Sequence, residues 1–336
     1  MLRPGPRNLI TDVAGLRVGQ AEDHAIRTGV TVLLTDASAN AAVDIRGGAP
    51  GTRETDALDP VNVVGQVDAV VLSGGSVFGL EAASGVAAFL RANGRGYELA
   101  PTVPRAPIVP AAILFDLANG GDKNWGEEAP YRALGRKAVE AAAQDFRLGN
   151  AGAGLGATAG MYKGGLGSAS IALEDGVTVG AIAAANPLGS PLIPGTDIFW
   201  AWPLEQNKEF GGRAPKGPLK PIDPDLPSDM RGARARAHTT IAIVATDADI
   251  PRIDLKRIAI MAADGFARAL RPVHTPFDGD VVFAVATGKK KLADPGPRAI
   301  MRLGSIAADC LARAIARGVY EADSLGDLTS YKDTFP

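Results

Sequence analysis

His238-Thr-Thr-Ile-Ala-Ile-Val-Ala-Thr-Asp247 joins two stretches of opposite character. Residues 205–238 hold five prolines and four glycines among many charges. Neither a helical nor an alternating period survives there, which predicts an exposed, flexible loop. The eight residues after His238 are β-branched or small and carry no charge, the pattern of a strand buried on both faces. A loop joined directly to a core strand is easily cut.

A threonine that opens such a strand has a chemical option. Its hydroxyl can attack the carbonyl of the preceding residue to give an ester, and water then releases a new N-terminal threonine. The freed α-amine titrates near ~7.7–8.0 and serves as a base at neutral pH. Nucleophile and base then belong to one residue, Thr239, with His238 on the leaving side. Two ordinary strand threonines after a surface loop give the same letters, so other residues must decide.

Composition narrows the field. A chain of 336 residues with 46% hydrophobic content can bury a large core without disulfides. A formal net charge of −2 gives no field for nucleic acid or an anionic membrane, and the short basic run Arg231 to Arg236 lies inside the expected loop. The expected partner is a small molecule or a peptide. The single cysteine, Cys310, shares helical spacing with Leu303, Ala307, Leu311 and Ala314 and reads as a core thiol. Three histidines and one cysteine make no metal cluster, so neither metal nor cofactor is expected. No apolar run reaches the ~18 residues of a membrane span, and a cytoplasmic protein is expected.

Along the chain, residues 29–35 and 41–46 read as two strands of a hairpin turning at 36–40. Residues 68–72 read as a strand, and Ser76 as the N-cap of a helix over 77–93. A strand is expected at 111–117 and an amphipathic helix at 130–147. Residues 149–167 are rich in glycine, and Gly154-x-Gly156-x-x-Ala159 matches a dinucleotide fingerprint only superficially, because it follows a helix rather than a strand. These glycines read instead as close turns that place Lys163. A buried strand at 177–186 ends in Asn186-Pro187, where the amide can serve a turn or donate to an oxyanion. A helix over 251–270, a strand over 281–286 and a last helix over 297–322 complete the chain. Asp278 and Asp280 flank one glycine before that strand, either as turn formers or as carboxylates that orient a reacting group.

Taken together, Asp44-Ile-Arg-Gly-Gly-Ala-Pro-Gly-Thr-Arg-Glu-Thr-Asp56, Leu72-Ser-Gly-Gly-Ser-Val-Phe-Gly79, Gly152-Ala-Gly-Leu-Gly-Ala-Thr158, Asn186-Pro187, Thr239-Thr240 and Asp278-Gly-Asp-Val-Val-Phe-Ala284 resemble the DmpA-type L-aminopeptidase D-alanine-esterase/amidase family. That family includes β-peptidyl aminopeptidases and nylon-oligomer hydrolases. The resemblance implies one α+β domain over 1–336, a four-layer αββα sandwich like that of N-terminal-nucleophile hydrolases but with different connectivity. It implies self-cleavage into an α chain, 1–238, and a β chain, 239–336, and homo-oligomers of such pairs, tetrameric or larger. On this pattern Thr239 is the nucleophile, Asn186 the oxyanion-hole asparagine and Lys163 the lysine near the nucleophile. Asp278 and Asp280 match the carboxylate pair of the nylon-oligomer branch.

Three positions depart from the aminopeptidase branch. Ile113 and Phe115 stand where that branch has an amine-anchoring glutamate and a tyrosine, and His238 replaces the more usual asparagine or glycine. The expected activity is hydrolysis of amide, peptide or ester bonds through a threonine acyl-enzyme. The alternatives are an acyltransferase like the self-cleaving ornithine acetyltransferases, or an uncut ligand-binding scaffold.

Overall fold

The computed structural model describes residues 3–219 and 238–336. Its strands are β1 (Leu16–Asp23), β2 (Thr28–Ile45), β3 (Thr52–Arg53), β4 (Gln66–Ser73), β5 (Ala111–Ile113), β6 (Thr158–Ala159), β7 (Tyr162–Lys163), β8 (Gly165–Ala172), β9 (Thr178–Ala185), β10 (Ile241–Ala248) and β11 (Val281–Lys290). Its helices are α1 (Ala82–Ala92), α2 (Tyr131–Glu140), α3 (Arg252–Ala262), α4 (Asp264–Ala269), α5 (Pro297–Tyr320) and α6 (Tyr331–Thr334).

The long strand β2 defines the architecture. Its first half pairs with β1 and β4, and its second half pairs with β11. Residues 36–38 are exposed where the register with β4 shifts between Leu34 and Ala39. The chain thus passes from one sheet layer to the next without breaking, as bulged strands do when they bend. The expected hairpin across 36–40 is therefore one strand. The actual hairpin partner is β1, whose alternating polar residues hid it.

Side chains sort into three cores. Ala21, Val30, Val32, Val71 and Val86 lie between the first layer and α1 and α2. Leu33, Val70, Ile182, Ile241, Ile243 and Phe283 fill the space between the two layers. Ala183, Ala242, Val244, Leu255, Phe266 and Leu311 lie between the second layer and α3, α4 and α5. The order helix, sheet, sheet, helix is the αββα sandwich. β10 is buried throughout, with Ile241 and Ile243 facing inward and Ala242 and Val244 facing α5, the two-faced burial that its uninterrupted apolar run requires. Cutting either isoleucine to alanine costs ~2–5 kcal/mol.

Several expectations need correction. Ser76 is not a cap: its φ is +51°, and neither it nor Gly75 caps the short turn it enters. The helix expected over 130–147 ends at Glu140, and the strand expected over 111–117 ends at Ile113. Of the loop expected over 205–238, residues 220–237 lie outside the described residues. Its start is anchored, because Phe210 is buried against Phe199, and Glu209 pairs with the fully buried Arg313 of α5 at 2.5 Å.

β10 and β11 are parallel, and β9 and β2 run antiparallel to them. The start of β10, the start of β11, the end of β9 and the end of β2 therefore meet at one edge. β8 begins there too, with Gly165 opposite Ala185. Residues far apart in sequence, 46–49, 163, 186, 239 and 278–280, converge by topology alone.

Candidate active site

Thr239 sits two residues before Ile241, the first residue of β10, and it is 5% exposed. Its hydroxyl donates to the carbonyl oxygen of His238 at 2.6 Å. Its backbone N–H donates to the carbonyl of Asn186 at 2.7 Å. Nucleophile, candidate scissile carbonyl and candidate base nitrogen are thus fixed against the ends of β9 and β10. Burial pushes the pKa of the His238 imidazole below its usual value.

Asn186 is fully buried. Its Oδ1 accepts from the Thr158 N–H at 2.8 Å and from the Thr158 hydroxyl at 3.1 Å, and its Nδ2 donates to the Phe115 carbonyl at 3.3 Å. The side-chain amide is locked in orientation, while the main-chain carbonyl of the same residue holds the Thr239 nitrogen.

Lys163 is also fully buried. Its Nζ donates to the carbonyls of Gly154, Ala157 and Gly164 at 3.0, 3.0 and 2.6 Å. Burial lowers its pKa to about 7. Three carbonyl acceptors pull the other way, because only the ammonium form has three hydrogens to give. The glycine turns of 149–167 do position this lysine. Its bonds run to that loop, so it reaches Thr239 through Thr158 and Asn186 rather than by direct contact.

The two aspartates grip the backbone around the nucleophile. Asp280 accepts from the Thr240 N–H at 2.9 Å and, on its other oxygen, from the His274 N–H at 3.1 Å, with His274 Nδ1 at 2.9 Å. Asp278 accepts from the Leu188 N–H at 3.2 Å and from the N–H and hydroxyl of Thr275 at 2.9 and 2.5 Å. Burial, and then the neighbouring Asp280, raises the Asp278 pKa. The carboxylates tie the residue after Thr239 and the segment after Asn186 to the turn at His274 and Thr275.

Sequence reasoning passed over several contributors. The residue between the aspartates, Gly279, donates its N–H to the His238 carbonyl at 3.2 Å, and His238 pairs with Asp278 as a parallel bridge. The 46–49 loop braces that turn: Arg46 and Gly47 N–H point at the Asp280 carbonyl at 3.0 and 3.3 Å, and Ala49 N–H at the Asp278 carbonyl at 2.8 Å. A Cβ on Gly47 would stand 2.3 Å from the Asp278 oxygen, so a glycine at 47 permits this contact. The glycine-rich stretch 44–56 was the available signal, but letters alone do not show what a loop leans on.

A cavity of about 440 Å³ opens beside the site, with Phe115, Asp116, Thr158, His238 and Asp327 in its wall. Ile113 is turned away, against the position of a Gly51 Cβ. Asp116 is buried, accepts from the Thr28 hydroxyl at 2.6 Å and the Gly75 N–H at 2.7 Å, and has its pKa raised by burial. The fingerprint-like Gly154 and Gly156 border Lys163 and Asp116 and open no long helix.

Known proteins resemble this chain in sequence and in fold. An uncharacterized aminopeptidase of Mycobacterium tuberculosis strain H37Rv is 42% identical over 346 aligned residues, covering 98% of each chain. A 6-aminohexanoate-oligomer endohydrolase of Kocuria sp. is 29% identical, over 84% of this chain and 76% of that one. Among solved structures, the L-aminopeptidase D-Ala-esterase/amidase of Ochrobactrum anthropi, described as a variant of the Ntn hydrolase fold, superposes with a TM-score of 0.71. It is 20% identical, over 99% of this chain and 93% of that chain. A Burkholderia sp. β-aminopeptidase gives a TM-score of 0.67 at 23% identity, over 98% and 90%. These likenesses establish the sandwich. Residues 8–331 match peptidase family S58, and with that match the chain belongs to this family of hydrolases acting on C–N bonds.

Proposed function

We propose that this chain is a self-processing hydrolase of amide, peptide or ester bonds that works through an acyl ester on Thr239. The observation that carries the proposal is the Thr239 hydroxyl seated on the His238 carbonyl oxygen at 2.6 Å, at the junction where the sequence predicts a cut. Attack on the His238 carbonyl carbon moves the acyl group from the Thr239 nitrogen to its hydroxyl oxygen, and water hydrolyses the resulting ester, dividing the chain into 1–238 and 239–336. The former Thr239 amide nitrogen becomes an α-amine next to the Asn186 carbonyl that already holds it at 2.7 Å. An amine titrating near ~7.7–8.0 then takes the hydroxyl proton as a substrate arrives. In turnover the substrate acylates Thr239, its amine or alcohol leaves, and water releases the acid. Asn186, Lys163, Asp278 and Asp280 complete the catalytic set by holding nucleophile and base in place.

The cavity beside His238 suits a small substrate. Ile113 cannot hold an ammonium, but Asp116 and Asp327 stand in the cavity wall, which favours peptides or amides with a free amine. The aminopeptidase names of relatives point the same way. We place the enzyme in the cytoplasm as a homo-oligomer of αβ pairs, without cofactor; no helix among the described residues is long and apolar enough to cross a membrane.

The test is a mass-spectrometric trap. Acid-quenched turnover of a free-amine amino-acid amide is expected to leave the acyl group on the peptide beginning at Thr239. The N-acetylated analogue is expected to turn over more slowly, and Asp327→Asn to raise KM for the free-amine substrate alone. An acyl group on any other residue would overturn the assignment.

A further inference from the structure

We propose that the backbone N–H of Gly279 is an oxyanion donor of this site, serving first the His238 carbonyl during self-cleavage and then the carbonyl of each substrate. The inference rests on the Thr239 reading above.

The His238 oxygen receives two hydrogen bonds, from the Thr239 hydroxyl at 2.6 Å and from the Gly279 N–H at 3.2 Å. When Thr239 Oγ bonds to the His238 carbon, the carbonyl π pair moves onto that oxygen. The hydroxyl proton leaves Oγ, and it reaches the Thr239 nitrogen as the C–N bond breaks and the ester forms. The Thr239 hydroxyl therefore surrenders its hydrogen bond at the moment that charge appears. Gly279 N–H keeps its bond, and a donor that strengthens as the charge develops lowers the barrier.

The donor is fixed before any reaction. Its turn is held from three sides, by Arg46, Gly47 and Ala49 N–H on the carbonyls of 278 and 280, by Leu188 and Thr275 on the Asp278 carboxylate, and by Thr240 and His274 on that of Asp280. Asp278 and Asp280 thus act as positioning residues for the N–H between them. A glycine fits here without displacing its neighbours: a Cβ at 279 would lie 2.7 Å from Thr239 Oγ and 2.7 Å from the Ala49 oxygen. Self-cleavage and turnover pass through the same kind of ester on Thr239, so the substrate carbonyl takes the place of the His238 carbonyl and meets the same N–H.

The direct test exchanges one atom. Gly279→glycolic acid, made by incorporating the hydroxy acid, replaces the N–H by an ester oxygen and adds no side chain. Self-cleavage, followed by intact mass in the full chain, is expected to slow on the order of 10² to 10³-fold relative to wild type. Cleavage at the wild-type rate would overturn the Gly279 assignment alone. A wild type that stays whole would overturn the self-cleavage reading and this one with it. If the ester variant does not fold, a structure of the cut wild-type enzyme with 2-phenylethylboronic acid on Thr239 decides. A boronate oxygen within roughly 3.1 Å of Gly279 N supports the proposal, and boronate oxygens that all point elsewhere overturn it.

Discussion

Replacing Gly279 by alanine adds one methyl group beside the nucleophile, and the structure sets the size of the effect. The new carbon would start 2.7 Å from Thr239 Oγ, 2.7 Å from the Ala49 oxygen and 3.2 Å from Thr239 Cγ2. Relaxed contacts require roughly 3.5 Å, so something must move by several tenths of an ångström. Ala49 is tied back to the same turn by its N–H on the Asp278 carbonyl at 2.8 Å, and the Thr239 nitrogen is tied to Asn186 at 2.7 Å. The freest neighbour is the Thr239 side chain, which swings its hydroxyl off the His238 carbonyl. Overpacking of this kind costs ~1–3 kcal/mol, and a 1 Å misplacement of a reacting group costs on the order of 10²-fold in rate. Gly279→Ala is therefore expected to slow self-cleavage about 10- to 100-fold, while the chain still folds. Time-resolved intact mass with a urea unfolding curve measures both. Wild-type cleavage kinetics in Gly279→Ala would refute the packing argument.

Three other outcomes follow from buried groups. Glu209→Ala leaves the Arg313 guanidinium, whose side chain is 0% exposed, without its carboxylate. That change is expected to cost ~3–5 kcal/mol in urea unfolding, and a loss under ~1 kcal/mol would show that its other acceptors, the Ser170 carbonyl at 3.1 Å and Asn8 Oδ1 at 2.9 Å, suffice. Lys163 is held near 7 in the fold against ~10.4 in the unfolded chain. The unfolded state binds more protons between those values, so stability rises with pH across that window. The urea midpoint of wild type is expected to climb from pH 7 to pH 9 relative to Lys163→Met, and parallel profiles would contradict the shift. Burial pushes the Cys310 thiol up to about 12, so native protein is expected to resist thiol reagents at neutral pH and to take up one equivalent when denatured. Rapid native labelling would contradict it.

The buried strands were legible because their signal is composition. β4, β9, β10 and β11 are short apolar runs, and α5 carries its apolar stripe through Leu303, Ala307 and Leu311. Where the chain serves two layers the signal failed. Residues 36–40 spell a turn, yet they lie within one strand that bends from layer to layer, exposed at 36–38. β1 alternates too weakly to announce itself. At the site, Thr239 and Asn186 stood out as side chains at strand ends, and Lys163 as the residue that the glycine turns place. Gly279 did not, because its contribution is a backbone N–H whose aim depends on the register between His238 and Asp278. The roles of Asp278 and Asp280 were half legible: the pairing was visible, and the groups they grip, Thr240, Leu188, Thr275 and His274, required the fold.

The central claim is that Thr239 cuts the bond before itself. Intact mass of the purified wild-type protein beside Thr239→Ala tests it most directly. Two fragments dividing between His238 and Thr239 in the wild type, with the variant whole, are the expected result. A wild type that remains one chain after prolonged incubation, or a variant that is cut at the same bond, would contradict it.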